Sequence, residues 1–399
     1  MRLLVIGHTY MTALGQAKLR ALRDIHPDVD ILVACPRWWP DPLFELTATA
    51  VREDRLQVRP LPTYAPGYGS RYAYGWHALG RLMARFDPDV VQVDHEPHAL
   101  ATLQVLALRR VAAARAAVSL FTWDNVADAP HGLGSRVRSL LRRRAFRSID
   151  LLMAGNHAAV PLARARGFAG PIVLIPQIGV DPAPPVAPED VVALRSELGV
   201  DSGFVIGFVG RLAREKGLLT LAAALAQLTE RWTLLVVGDG GLRDELEARL
   251  VADGLASRVR WLGAVPHGAV PRLMGCMDAL VLPSERMPTW QEQFGHVLIE
   301  AMACGVPVVG TASGEIPHVI GDAGLVVPEH NAAALARALA RLMSDRDLRE
   351  LLRLRGRARV ERHYSHPALG GQLGAAYWAL RKERGVAHGV CAATCNAAE

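Results

Sequence analysis

The chain has 399 residues, 51% of them hydrophobic and 21% charged, with a formal net charge of +6. That apolar share excludes a disordered chain, and the length calls for two or three domains, each with its own core. The charge is unevenly spread: residues 1–175 hold 22 Lys+Arg against 14 Asp+Glu, and the remainder holds 23 against 25. A basic first half favours an anionic partner: a phospholipid surface, a phosphorylated acceptor or nucleic acid. No apolar run approaches the ~18–20 residues that span a bilayer. The opening MRLLVIGHTYM is too brief for a signal peptide and no cleavage site follows it, so a soluble cytosolic protein is expected. Five scattered cysteines (Cys35, Cys276, Cys304, Cys391, Cys395) do not make a disulfide framework.

Strand-like runs recur along the chain. In the first half they are 3–8, 30–36, 90–95, 118–125, 151–156 and 172–177; in the second, 204–210, 233–240, 259–265, 279–284, 306–310 and 324–328. Their apolar residues are nearly continuous rather than alternating, which predicts parallel strands covered on both faces. Helical patterns fall between them, as at 217–230, 241–253 and 332–343. Residues 181–190, with Pro182, Pro184, Pro185 and Pro188, read as a linker. The expected fold is α/β: two doubly wound Rossmann-like domains, 1–180 and 191–365, facing a cleft. A helix over 366–385 is expected to return to the first domain, and 386–399 to form a disordered tail. Ligands of such sheets bind beyond the carboxyl ends of the strands.

Three segments of the second half carry chemistry. Gly210-Arg211-Leu212-Ala213-Arg214-Glu215-Lys216-Gly217 follows a strand. Arg211 and Lys216 could clamp a diphosphate, one bidentately and one as a point charge. Gly238-Asp239-Gly240-Gly241 is a strand-to-helix turn that lets a ligand approach the backbone. Glu292-Gln293-Phe294-Gly295-His296 leads into a helix that stops at Gly305, with Glu300 two turns down. The start of that helix favours an anion, and its carboxylates suit vicinal hydroxyls. Taken alone, each segment reads as an ordinary surface turn, a pair of exposed glutamates or a packing glycine.

Together and in this order they resemble the C-terminal domain of retaining GT-B glycosyltransferases of family 4. The matching stretches are GFVGRLAREKG, LLVVGDGGLRDELE, VRWLGAVPH, LMGCMDALVLPS, TWQEQFGHVLIEAMACGVPVVGT and SGEIPHVIGDAGLVV, covering most of 203–328. The resemblance implies that Arg211 and Lys216 neutralise the departing diphosphate and that Glu292 contacts a donor-sugar hydroxyl. It implies that Glu300 holds the ribose, that Phe294, Gly295 and His296 line phosphate and sugar, and that Val265 lies near the base. Gly15, Gly210 and Gly238 would admit the donor. The implied mechanism is front-face attack, with the donor phosphate helping to deprotonate the acceptor, no metal ion, and a nucleotide diphosphate sugar (UDP- or GDP-linked) as co-substrate rather than a cofactor. Acids stand as D-x-D at 28–30 and 87–89, near strand starts and away from the cleft. The sequence departs from the family at Gly314-Glu315-Ile316-Pro317-His318, which puts His where Glu is usual, and it lacks the usual N-terminal Gly-Gly pair.

In the first half, His8, the His95-Glu96-Pro97-His98 turn and Asp124-Asn125 follow predicted strands. His8, His95, His98, Asp124 and Asn125 are candidates for acceptor or donor-sugar contact. Arg136–Arg147, RVRSLLRRRAFR, is an arginine-rich amphipathic helix with Leu140, Leu141 and Phe146 as its apolar strip, a candidate for peripheral contact with an anionic membrane. The expected activity is sugar transfer to a polysaccharide, lipid-linked or small-metabolite acceptor. The alternatives are a nucleotide-sugar epimerase or hydrolase, or a non-catalytic binding protein. No G-x-G-x-x-G follows a strand, against a nicotinamide enzyme, and nothing indicates nucleic acid.

Overall fold

The computed structural model describes residues 1–40, 45–67, 69–127, 132–182, 186–200 and 203–395. The chain divides into two compact units, one of Met1–Gly179 with the chain from His366 onward, the other of Val180–Ser365.

The first unit is built on an eight-stranded sheet. From one edge its strands are Ile172–Leu174, Leu151–Ala154, Ala117–Thr122, Val90–Asp94, Arg2–Ile6, Asp30–Pro36, Leu56–Leu61 and Val51–Glu53. All pairings are parallel except the last. Leu3, Leu4, Val5 and Ile6 are wholly buried, which explains why the central strands show no polar alternation. Leu56–Leu61 escaped the sequence reading because it lies near the sheet edge and alternates between buried and exposed positions. Two short antiparallel ribbons, Trp38–Pro40 with Glu45–Thr47 and Thr63–Tyr64 with Ala73–Tyr74, are also additions to the reading.

The second unit carries six parallel strands in the order Val259–Gly263, Trp232–Val237, Phe204–Val209, Ala279–Leu282, Val308–Thr311, Gly324–Val327. The strand order reverses between Phe204–Val209 and Ala279–Leu282. In the first unit it reverses between Arg2–Ile6 and Val90–Asp94. Such switch points are where open α/β sheets leave a crevice for a ligand. Helices cover the sheet with apolar stripes: Ala332–Ser344 buries Leu335, Leu339 and Leu342, and Asn331 caps it by accepting from the Ala334 N–H at 2.9 Å.

The linker is shorter than expected, since a helix already begins at Pro188, where proline is favoured at the first turn; residues 183–185 lie outside the described residues. The last helix, His366–Cys395, packs on Ala13–Ile25 in the first unit, where Trp378 stacks on His26 at 4.8 Å. It runs past the expected end at 385 into the segment read as a disordered tail. That segment holds alanines and no proline to stop a helix. Residues 396–399 lie outside the described residues, as do the side chains of Cys391 and Cys395.

Candidate functional site

In the second unit the loops after the two switch-point strands meet. Arg214–Lys216 forms one tight turn, and Gly217, at φ +66°, opens the helix Leu218–Leu225. A Cβ on Gly217 would lie 1.8 Å from the Pro283 carbonyl oxygen, so only glycine allows this approach. The turn delivers Lys216 Nζ to Glu292 Oε2 at 2.7 Å. Ser284 Oγ donates to the same carboxylate oxygen at 2.7 Å. Lys216 Nζ also lies 5.1 Å from the centre of the Trp290 ring. The Glu315 N–H donates to the Glu292 carbonyl at 3.1 Å, so the divergent GEIPH loop anchors the Glu292 backbone. Glu292 is 7% exposed; removing Lys216 would take the lysine countercharge from a nearly buried carboxylate.

Arg211 behaves differently. Its side chain is 66% exposed and pairs with Glu215, four residues on, at 2.6 Å. The two expected clamp cations therefore have separate carboxylate partners. Gly210 and Gly238 pack on each other: a Cβ on Gly238 would fall 2.0 Å from the Gly210 carbonyl oxygen. Both have positive φ, +150° and +131°, so their first role is to let the two strand-end turns touch.

The helix His296–Ala303 starts from Gly295 and displays Glu300, which is half-buried. Phe294 is buried and its ring lies 4.8 Å from that of His296. Burial holds the His296 imidazole below its ordinary range. Val265 is half-buried in the loop after Val259–Gly263. Two residues on, His267 Nε2 meets Glu300 Oε1 at 3.0 Å. The hydrogen bond to Glu300 raises the His267 imidazole. His267 went unrecognised in the sequence; its only signal was its place beside Val265.

The first unit's switch point is aromatic. His8 follows Arg2–Ile6 and His95 follows Val90–Asp94; their rings stack at 5.6 Å. Trp39 stacks on the other side of His8 at 4.7 Å, and the buried Tyr72 hydroxyl reaches His95 Nδ1 at 3.1 Å. Burial, then His8, hold the His95 imidazole well below its ordinary range. Trp39, Tyr72 and Tyr74 were missing from the sequence reading because they come from outside the main strand ends. Beneath them Asp94 accepts from the Tyr10 hydroxyl at 2.6 Å and from Gln92 at 2.7 Å, with Lys18 Nζ at 4.0 Å. Burial lowers the Lys18 ammonium and Asp94 opposes the shift.

His98 is half-buried and Asn125 buried. Asp124 is held by Arg166, and Arg142 lies 4.0 Å away. Glu96 accepts from Thr122 Oγ1 at 2.6 Å and from the Trp123 N–H at 3.2 Å. Burial, with Asp124 adding to it, pushes its carboxyl up to about 7. Gly15 lies in the first turn of Ala13–Ile25, capped by Thr12, and a Cβ there would meet the Thr9 carbonyl at 2.0 Å. The arginine-rich helix, Leu133–Phe146, is also only partly as expected. Arg142 is 2% exposed against Asp124 and Phe146 is buried in the core, while Val137 and Leu140 are exposed. Of the D-x-D acids, Asp87 and Asp89 are taken up by Arg2. No described helix is long and apolar enough to cross a membrane.

Comparison with solved structures bears on the whole chain. The sucrose-phosphate synthase of Thermosynechococcus elongatus superposes with a TM-score of 0.71 at 22% identity, covering 95% of this chain and 99% of that one. Anabaena HepE in complex with UDP superposes with a TM-score of 0.70 at 22% identity, over 95% and 99%. The fold is GT-B. Residues 193–359 of this GT-B chain match the family model described as glycosyl transferases group 1. Over 198 residues the chain is 37% identical to the 2-deoxystreptamine N-acetyl-D-glucosaminyltransferase of Streptomyces fradiae, covering 47% of this chain and 44% of that protein. It is 32% identical to the 2-deoxystreptamine glucosyltransferase of Streptomyces kanamyceticus, covering 50% and 52%. A D-inositol 3-phosphate glycosyltransferase of Corynebacterium jeikeium is 37% identical, over 44% of each. The chain thus spans about half the length of these curated relatives.

Proposed function

We propose that the protein transfers a sugar from a nucleotide diphosphate sugar to a hydroxylated acceptor, with retention of configuration. The observation that carries this reading is Lys216 seated against Glu292 and Ser284 at the second unit's switch point, inside the segment that matches the group 1 model. A cation anchored there can take up the charge that develops on a leaving diphosphate. Arg211, on a flexible exposed arm, would leave Glu215 to add a bidentate contact. Glu300 would receive the ribose hydroxyls, displacing His267. In the proposed step the bond from the anomeric carbon to the diphosphate oxygen breaks. The acceptor oxygen bonds to that carbon on the same face, and its proton passes to the departing phosphate oxygen. The reading assigns charge neutralisation to these side chains rather than to a metal ion.

Two curated relatives are named for 2-deoxystreptamine and one for D-inositol 3-phosphate. A small polyhydroxylated ring is accordingly the favoured acceptor class, handled by the first unit with its aromatic cluster. The test is incubation with a panel of UDP- and GDP-sugars, with and without such acceptors. Acceptor-dependent release of nucleoside diphosphate, with an anomer-retained product, supports the reading. Conversion of the sugar nucleotide without acceptor would indicate an epimerase or hydrolase and overturn it.

A further inference from the structure

The basic first unit carries a groove that the reading above does not use. It lies on the face of the sheet, between the strands Asp30–Pro36 and Leu56–Leu61 and the helix Trp76–Phe86, and encloses about 500 Å³. That volume suits a small organic ligand. Its apolar floor includes Leu32, Leu82 and Phe86; Arg59 stands on the strand side, and Arg81 and Arg85, one turn apart, on the helix side. Leu32 is mid-strand, whereas His8 and His95 follow strand ends, so the groove is separate from the switch point.

Three guanidinium groups around one concavity repel one another unless an anion joins them. No carboxylate lines the groove. Of the acids nearest in sequence, Asp87 pairs with Arg2 and Glu53 with Arg20 and Arg23, and Asp54 is not among the residues lining the groove. Among the described residues Arg81 and Arg85 have no hydrogen-bond or ion-pair partner, and Arg59 reaches only Gln57, at 3.2 Å. Guanidinium forks match phosphate oxygens in pairs, while the floor offers apolar surface to whatever the phosphate is attached to.

We propose that this groove binds an organic phosphate: a phosphate ester whose other end is apolar. Such a group is found on a soluble metabolite or on a lipid headgroup. The probes are therefore 1-naphthyl phosphate, its uncharged counterpart 1-naphthol, and vesicles of phosphatidylglycerol with phosphatidylcholine, each titrated into the full-length protein. The comparison is with the double variant Arg81→Ala/Arg85→Ala, whose exposed positions leave the core untouched; an unchanged thermal unfolding midpoint checks this. Naphthyl phosphate should bind the wild type and lose at least about tenfold in affinity in the double variant. Naphthol should bind weakly to both, and saturating UDP should leave naphthyl phosphate bound. Vesicle binding that depends on Arg81 and Arg85, without binding of naphthyl phosphate, also supports the site and assigns it to lipid headgroups. Equal affinity in the double variant, displacement by UDP, or no binding of either phosphate probe overturns it.

Discussion

The two units have the same sheet logic and fill the point of strand reversal with opposite chemistry. In the second unit it holds a glutamate with a lysine and a serine each 2.7 Å from its carboxylate, with glycines pressed against carbonyls. In the first it holds stacked rings of His8, Trp39 and His95 above a buried Asp94 network. A charge that appears and disappears during a reaction needs fixed countercharges. A ring-shaped polyol needs flat surfaces and a few polar tips. On the proposed function, one scaffold thus offers a diphosphate-type site and a sugar-type site by changing the residues around equivalent switch points.

The strongest way to break that contrast is Lys216→Ala, which should lower turnover by roughly 10²–10³, as expected for one lost electrostatic stabiliser. Arg211→Ala, being exposed and paired elsewhere, should cost only about tenfold by initial-rate assay. Equal losses for the two would refute the asymmetry drawn here. Adding Glu292→Gln to Lys216→Ala should restore the unfolding midpoint without restoring turnover.

Gly217→Ala should destabilise the second unit by about 3 kcal/mol in urea unfolding, since the new Cβ meets the Pro283 carbonyl at a positive φ. A variant as stable as the wild type would show that the two loops can separate.

The first unit should instead respond to pH through Glu96. Its carboxyl is raised from 4.5 to about 7, so the folded chain keeps a proton that the unfolded chain has lost. The contribution is fully present below the ordinary carboxylate range and is lost as pH rises through about 7. Wild type should lose about 2 kcal/mol relative to Glu96→Gln between about pH 5 and about pH 8. Parallel stability profiles for the two proteins would remove Glu96 from the account.

The smallest effect concerns the arginine-rich helix. Arg144→Ala should weaken sedimentation with anionic vesicles by about 1 kcal/mol. Arg142 does not belong in that test, because its burial beside Asp124 makes its loss a folding defect.

Most of this was legible where one residue type has one physical reason. Central strands such as Arg2–Ile6 and Ala117–Thr122 could be read because burial on both faces forces continuous apolar runs. Glu292 and Glu300 stand out only through the family resemblance, since two glutamates at that spacing are otherwise ordinary surface residues. Leu56–Leu61 was not legible, since half of it faces outward, and neither was the inward turn of Arg142 in a run of arginines. The aromatic cluster was hidden because Trp39, Tyr72 and His95 are far apart in the chain. The packing of Gly15 on the Thr9 carbonyl was equally hidden, because it depends on how the preceding turn folds back.

The amino-acid order by itself determined the α/β class, the strand periodicity and the basic first half, because these depend on local pattern and charge. Tertiary structure alone decided which carboxylate each cation meets, which arginine turns inward and which rings stack. Those outcomes depend on distances between residues remote in sequence, and burial multiplies the energy of each such meeting.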